Sequence, residues 1–313
     1  MASDARDQLP AGIEASIQAI RDDREHGASW LARAAAGVLL RLSEPRDDIS
    51  DDMWDVVVRT AARALVAARP SMAAVANTAA RIWDAGQSAA PADARKQLRD
   101  MAERLATQNE QTLHALLMHA EKLFPGDVYT MSRSGTVEDV LRDLGQRHII
   151  GQVIIGASVP GGEGVAMGRA LAQSGLDVTL VADTACGLFI SEATCVVLGA
   201  DSLRADGSLV NKVGSYPLAL VAREAGKPVY ALCETLKIAA PDFPLVLEEK
   251  DPAELLPDPV DGLRARNPYF DVTPAQLIAG YVTEQGVLDR ETVARYAEAA
   301  GAALAALARL RAG

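Results

Sequence analysis

Between residues 125 and 232, short apolar runs rich in β-branched residues alternate with amphipathic segments of helical period. The strand-like runs are Asp127–Met131, Gln152–Gly156, Asp177–Val181, Cys195–Leu198 and Val229–Leu232. The helical segments between them include Val137–Leu144, Gly164–Gly175 and Val213–Ala225. This alternation predicts a parallel sheet covered by helices, and right-handed crossovers then place the carboxyl ends of the strands at one edge.

A helical period dominates the chain before this region. Apolar residues recur at helical spacing in Ser29–Leu42, Met53–Ala68, Met72–Gln87 and Ala92–Leu123. We therefore predict an N-terminal helical domain over residues 1–124 and a Rossmann-like α/β domain over residues 125–313 that carries most of the functional site. In this domain a short helix should follow Pro274, Tyr281–Thr283 should form the last strand, and a helix over Glu291–Arg311 should close the fold.

The composition excludes several classes of protein. A net charge of -11 argues against a nucleic-acid-binding surface, which requires clustered basic residues. No segment reaches the ~18 uninterrupted apolar residues of a membrane span, and Met1 to Arg6 do not resemble a signal peptide. Cys186, Cys195 and Cys233 lack CxxC spacing and have apolar neighbours, which predicts core residues. We expect a soluble, cytoplasmic protein that needs no metal and no cofactor.

Asp201 follows an apolar run that ends at Gly199, so it lies just beyond the carboxyl end of a buried strand. Open α/β sheets bind ligands at this edge. Asp201 is either a buried carboxylate that serves as general acid or base, or a cap for the turn that follows it.

Three other segments have both a functional and a structural interpretation. Ser132-Arg133-Ser134 precedes a helix and suits a phosphate, but Thr136 and Asp139 could instead form a capping box. The glycine-rich stretch from residue 156 to residue 164 either lets backbone amides approach an anion closely or forms a plain tight turn. Its sequence matches neither the GxGxxG motif nor a Walker loop. Taken alone, Asn211 is interpreted as a helix N-cap and Lys212 as an exposed lysine.

Seven motifs carry a family resemblance. They are Gly199-Ala-Asp201, Asp206-Gly207, Asn211-Lys212-x-Gly214-Ser215-Tyr216, Glu224-Ala-Gly226-Lys-Pro-Val-Tyr230, Glu234-Thr-x-Lys237, Arg266-Asn267-Pro268-x-Phe270-Asp271-Val-Thr273-Pro274 and Thr283-Glu284-x-Gly286. The chain resembles the initiation factor 2B regulatory subunits and the related ribose-1,5-bisphosphate and methylthioribose-1-phosphate isomerases. The match covers about residues 125–287, and the helical first third fits the N-terminal domain of that family.

The resemblance implies specific roles. Asp201 moves protons between C1 and C2 of the sugar, and Ser132 contacts the reacting carbons. Substrate and phosphate binding fall to Gly27, Ala28, Arg133, Ser134, Glu163, Asn211 and Lys212. Because the family forms dimers through its sheet domain, the resemblance also implies a homodimer or a larger even homo-oligomer.

The chain departs from the isomerase pattern in three places. Ser132 occupies the position of a family cysteine. Ala157-Ser158-Val159-Pro160 replaces the family's Glu-Thr-Arg-Pro, and His26 replaces an arginine. The leading hypothesis is an aldose-ketose isomerase acting on a phosphorylated sugar such as ribose 1,5-bisphosphate or a related aldose 1-phosphate. The alternatives are a non-catalytic regulatory protein that binds a sugar phosphate or nucleotide, and a structural subunit of a larger assembly.

Overall fold

The computed structural model describes residues 9–23, 26–45, 47–70, 72–88, 90, 93–107 and 109–309. The chain forms two compact units. The helical unit extends to Glu110 and includes Leu236–Leu245 and the segment from Tyr296 onward, and the α/β unit contains the rest. The division predicted at residue 124 stays a prediction, and the predictions for Met1 to Arg6 lie outside the described residues.

Alanine-rich amphipathic helices build the first unit. They are α1 (Ala11–Asp22), α2 (Ala28–Ser43), α3 (Asp51–Ala68), α4 (Ala73–Gln87) and α5 (Ala94–Thr107). In α2, Leu31, Ala35, Leu39 and Leu42 are fully buried, because three- and four-residue spacing puts them on one face. The segment predicted over Ala92–Leu123 contains two helices, α5 and α6 (Asn109–Ala120), and residue 92 lies outside the described ranges.

A seven-stranded sheet forms the centre of the α/β unit. Its strands are β1 (Gly126–Met131), β2 (Ile150–Gly156), β3 (Asp177–Val181), β4 (Cys195–Leu198), β7 (Val229–Leu232), β9 (Gly280–Thr283) and β10 (Gly286–Leu288). The order is β10-β9-β7-β4-β1-β2-β3, and every pairing is parallel except that of β9 with β10. The prediction of an α/β fold with a helix-covered parallel sheet is confirmed. The prediction that Tyr281–Thr283 is the last strand is wrong, because β10 follows it.

Helices lie between these strands, and one more follows the last of them. They are α7 (Gly135–Gln146), α8 (Glu163–Gln173), the single turn α9 (Cys186–Phe189), α10 (Ser215–Glu224) and α11 (Arg290–Ala308). The short helix predicted after Pro274 is a 3₁₀ turn over Ala275–Leu277. All four residues of β4 are buried, as expected of a strand covered on both faces.

A second, three-stranded antiparallel sheet was not predicted. It contains β5 (Ser202–Leu203), β6 (Leu209–Lys212) and β8 (Phe270–Thr273), with β6 in the middle. Asn211 and Lys212 therefore belong to a strand, and the interpretation of Asn211 as a helix N-cap is wrong. Gly214 is the N-cap of α10, with a φ of 105° that favours glycine.

The cysteines lie in the α/β unit. Cys195 and Cys233 are buried and Cys186 is half-buried. Burial raises the pKa of the Cys195 thiol to about 11, so this cysteine is a core residue. In the part of the chain that the structure describes, none of the helices combines the length and apolarity needed to cross a membrane.

Candidate functional site

The order of the sheet reverses between β1 and β4. Strands β2 and β3 lie on one side of β1, whereas β4, β7 and β9 lie on its other side. Such a switch point opens a crevice at the carboxyl ends of the strands. Ser134 and Gly199, which follow these two strands, are in close contact, since a Cβ added to Gly199 would lie 2.7 Å from the Cβ of Ser134. The loops that carry Ser132–Ser134 and Asp201 therefore meet at this crevice.

Ser134 also begins helix α7. Its hydroxyl accepts a long hydrogen bond of 3.4 Å from the amide of Val137, and it is the N-cap residue. The capping box of Thr136 and Asp139, the structural alternative for this loop, is not formed because the helix starts at Gly135.

The loops after β1 and β2 are joined by hydrogen bonds. Ser132 and Ser158 both have a φ of 60°, which is uncommon for residues other than glycine. The amide of Ser132 donates to the hydroxyl of Ser158 at 2.8 Å. The carboxylate of Asp183 accepts from the amides of Ser158 and Val159 at 2.8 and 2.9 Å. Asp183, which lies just beyond β3, therefore holds the conformation of this edge.

The Asp183 contact was missed by sequence reasoning. One signal was available, because Asp183 follows β3 as Ser132 follows β1 and as Asp201 follows β4.

Asp201 lies beside the antiparallel sheet. Its amide donates to the carbonyl of Val210 at 2.9 Å, and Ser202 pairs with Val210 in the β5–β6 register. Continuing this register by one residue puts Asp201 opposite Asn211. Asn211 is buried, and its side-chain amide donates to the hydroxyl of Ser215 at 2.9 Å. A half-buried carboxylate and a buried amide thus lie side by side.

Lys212 is buried, with 3% of its surface exposed, so the interpretation as an exposed lysine is wrong. Its ammonium nitrogen lies 2.9 Å from Oε1 of Glu163 and 3.5 Å from the centre of the Tyr269 ring. The Tyr269 hydroxyl donates to the same Glu163 oxygen. A buried ammonium needs such partners, because an unpaired charge in this environment is strongly unfavourable.

Ser215 connects the end of β6 to the end of β1. Its hydroxyl donates to the Lys212 carbonyl at 2.7 Å and lies 3.6 Å from the sulfur of Met131, which precedes Ser132. Through these contacts six of the predicted residues come together along one edge of the α/β unit: Ser132, Ser134, Glu163, Asp201, Asn211 and Lys212.

Arg133 lies on the outer side of the same loop. Its side chain is 53% exposed, and its Nε donates to Glu138 at 3.0 Å. Glu138 also pairs with Arg142 at 2.6 Å, so one carboxylate orients two guanidinium groups. Among the described residues the other four N–H donors of Arg133 form no hydrogen bond, so they are available to a ligand.

Gly27 and Ala28 lie in the helical unit, where Gly27 is the N-cap of α2 and Ala28 its first residue. His26, just before them, stacks on Trp30 with ring centres 3.7 Å apart and shares a 2.8 Å hydrogen bond with Asp23. The ligand-binding role of Gly27 and Ala28 stays a prediction.

Asp271, which belongs to one of the seven motifs but was given no role in the sequence analysis, holds the start of α10. Its carboxylate accepts from the amides of Gly214 at 2.8 Å and Tyr216 at 3.1 Å, and Asp271 pairs with Asn211 in the β6–β8 register. Burial raises the pKa of Asp271 to about 6, although the two amide hydrogen bonds oppose the shift. Asp271 therefore lies in the strand beside the one that carries Asn211 and Lys212.

A family model and individual relatives from known proteins both match most of this chain. The model of the initiation factor 2 subunit family matches residues 24–290. A Pyrococcus horikoshii protein described as translation initiation factor eIF-2B subunit 2-like is 32% identical over 284 residues, which cover 90% of this chain and 97% of that protein. The ribose 1,5-bisphosphate isomerase of Archaeoglobus fulgidus is 31% identical over 285 residues, covering 88% of this chain and 89% of that protein.

A solved structure agrees with these relatives. The crystal structure of the Pyrococcus horikoshii translation initiation factor eIF-2B superposes with a TM-score of 0.75 and 29% identity, covering 90% of this chain and 98% of that one.

Proposed function

Because the chain belongs to the initiation factor 2 subunit family, we propose that it is an isomerase that converts a phosphorylated aldose to the corresponding ketose. The substrate is ribose 1,5-bisphosphate or a related aldose 1-phosphate, the class named for the Archaeoglobus relative. One observation carries the proposal: Asp201 lies across from Asn211 in the antiparallel sheet, just beyond the carboxyl end of β4, at the edge where α/β folds bind ligands.

In this proposal two groups of residues bind phosphate. Asn211 and Lys212 hold one phosphate group, and Arg133 with Ser134, at the N-terminus of α7, hold another. Before the phosphate binds, Glu163 positions the Lys212 ammonium through their 2.9 Å contact.

The chemistry follows from the substrate. A phosphate on the anomeric oxygen prevents ordinary mutarotation, so an acid must assist ring opening. Asp201 gives its proton to the ring oxygen while the bond from that oxygen to C1 breaks. The Asp201 carboxylate formed in this step takes the proton from C2, which gives the enol. Asp201 then gives that proton to C1 while the C2 hydroxyl loses its proton to solvent, which yields the ketose phosphate, and solvent reprotonates Asp201. The Ser132 hydroxyl contacts the reacting carbons and is too weak an acid to replace a thiolate.

The test uses phosphorus NMR on the full chain. Ribose 1,5-bisphosphate and a panel of aldose 1-phosphates are incubated with the wild type, with Asp201→Asn and with Asp258→Asn, which removes an exposed carboxylate in the same unit. We expect a new ketose phosphate with the wild type and with Asp258→Asn, and loss of turnover with retained binding in Asp201→Asn. Equal turnover in all three proteins would remove Asp201 from the mechanism.

A second candidate is a regulatory protein that binds a sugar phosphate or nucleotide without converting it. The serine at position 132, where the resemblance puts a cysteine in isomerases, favours this alternative, as does the eIF-2B-like relative. Saturable binding without any product would support it. A protein that neither binds nor converts these compounds would instead match the third hypothesis, a structural subunit.

The assembly and location belong to the same proposal. We expect a homodimer or a larger even homo-oligomer in the cytoplasm, acting without metal or cofactor. Light scattering of the purified chain measures the assembly, and a monomer at micromolar concentration would contradict it.

A further inference from the structure

Lys250 lies next to the residues that hold Lys212, although no motif in the sequence singled it out. Its amide donates to the Asn267 carbonyl at 2.9 Å, and the Tyr269 amide donates to the Glu248 carbonyl at 2.8 Å. These two hydrogen bonds fix one strand-like segment against another. They bring the Lys250 ammonium to 4.4 Å from the centre of the Tyr269 ring.

Two ammonium groups therefore share one aromatic ring. Lys212 lies 3.5 Å and Lys250 4.4 Å from its centre, so their nitrogens are separated by no more than the sum of these distances. The ring attracts both cations, but the cations repel each other. Glu163 supplies one negative charge and is bound to Lys212. Among the described residues Lys250 forms no ion pair, which leaves the cluster with an excess positive charge.

We propose that Lys250 and Tyr269 form, together with Lys212, an anion subsite for one phosphate group of the ligand, and that Glu163 occupies this subsite until the ligand arrives. The proposal rests on the proposed function for the identity of the ligand as a sugar phosphate. The two ammonium nitrogens lie no farther apart than the sum of their distances from the ring centre, a separation that one phosphate group can bridge with N–H···O bonds of about 2.9 Å. Because Lys212 is 3% exposed, the phosphate gains its ammonium only when the Glu163 carboxylate gives it up.

This exchange assigns Glu163 a role opposite to that of a ligand-binding residue. A carboxylate repels phosphate, so Glu163 competes with the ligand for Lys212 and the Tyr269 hydroxyl. Its other oxygen, Oε2, is buried without a hydrogen-bond partner in the described structure, so the closed arrangement leaves Glu163 incompletely satisfied.

The first experiment measures the affinity for ribose 1,5-bisphosphate by calorimetry at fixed ionic strength. Lys250→Met removes the charge and keeps an apolar stem, Lys250→Arg restores a cation, and Lys122→Met is the control at an exposed lysine of the same unit. We expect about tenfold weaker binding in Lys250→Met, near wild-type binding in Lys250→Arg, and no change in Lys122→Met. Equal affinities of Lys250→Met and Lys122→Met would overturn the subsite.

The second experiment tests the competition. Glu163→Gln keeps the shape of the side chain and removes its charge, so we expect tighter binding, with a gain that grows as salt is lowered. Weaker binding in Glu163→Gln, as in Lys212→Ala, would overturn the role of Glu163 as a competitor. Circular dichroism of each variant verifies that it is folded.

A third measurement separates the subsite from the enzyme activity. Inorganic phosphate is titrated into the wild type while the side-chain NMR resonances of its lysines are followed. Shifts of both Lys212 and Lys250 support the subsite even if no sugar phosphate is converted, in which case only the proposed function fails. The absence of shifts at these two lysines overturns the subsite whether or not turnover is observed.

Discussion

Replacing Asp271 by asparagine should change how the stability of the protein depends on pH. Burial raises the pKa of this carboxyl from its ordinary value of 3.8 to about 6, and amide hydrogen bonds from Tyr216 and Gly214 only partly offset the effect. Because the folded state binds the proton more tightly than the unfolded state, this group's contribution to stability is complete below about pH 4 and is lost as the pH rises through about 6.

The magnitude follows from the two pKa values. A shift of about two pKa units corresponds to about 3 kcal/mol over the whole titration. Between about pH 5 and about pH 7.5, the wild type should lose about 1.4 kcal/mol of unfolding free energy through this group alone. Asp271→Asn keeps a side chain of the same shape and has no charge to bury, so it should lack this decline.

The assay is urea unfolding of the α/β unit across that pH range, with the difference between wild type and Asp271→Asn plotted against pH. Asp258→Asn, which removes an exposed carboxylate of the same unit, is the control. As the pH rises, the unfolding free energy of Asp271→Asn should increase relative to that of the wild type by about 1.4 kcal/mol. Parallel curves for wild type and Asp271→Asn would refute the raised pKa, and a change of opposite sign would mean that the amide hydrogen bonds dominate burial.

Three further predictions concern the crevice and the core. Gly199→Ala should destabilise the protein by about 1–3 kcal/mol, because its Cβ would lie 2.7 Å from the Cβ of Ser134. Urea unfolding should show this stability recovered in the double variant with Ser134→Gly, and full additivity of the two single-variant effects would contradict the contact. Ser132→Cys should raise turnover of ribose 1,5-bisphosphate in the NMR assay, because a thiol ionises far more readily than a hydroxyl, and an unchanged rate would remove residue 132 from the chemistry. Cys195 should react with iodoacetamide only after unfolding, because burial raises its pKa to about 11. Mass spectrometry locates the label, and rapid labelling of Cys195 in the native protein would contradict this.

Local sequence patterns determined the main sheet. Strands β1, β2, β3, β4 and β7 all lie where short apolar runs predicted them. The pattern is clearest in β4, which is buried along its whole length, because a strand covered on both faces must be apolar throughout. The same patterns located Ser132 and Asp201 just beyond strand ends, and crossover handedness then assigned both to one edge of the sheet.

Only the tertiary structure decided the environment of Lys212. Strand β6 pairs with β8, in which Lys212 lies opposite Phe270, and a strand of four residues is too short to show a period of its own. The sequence therefore suggested an exposed lysine before a helix. The structure instead buries the ammonium against Tyr269 and Glu163, contacts that join residues far apart in the chain.

The same reason explains the other omissions. The sequence assigned no role to Asp183 or Asp271, and their importance comes from the backbone amides that folding brings to them. Lys250 is distinguished only by its distance from a ring that it shares with Lys212. Periodicity is a property of neighbouring residues and is written in the sequence, whereas hydrogen bonding, burial and charge pairing depend on which distant segments meet, and that was decided by the fold.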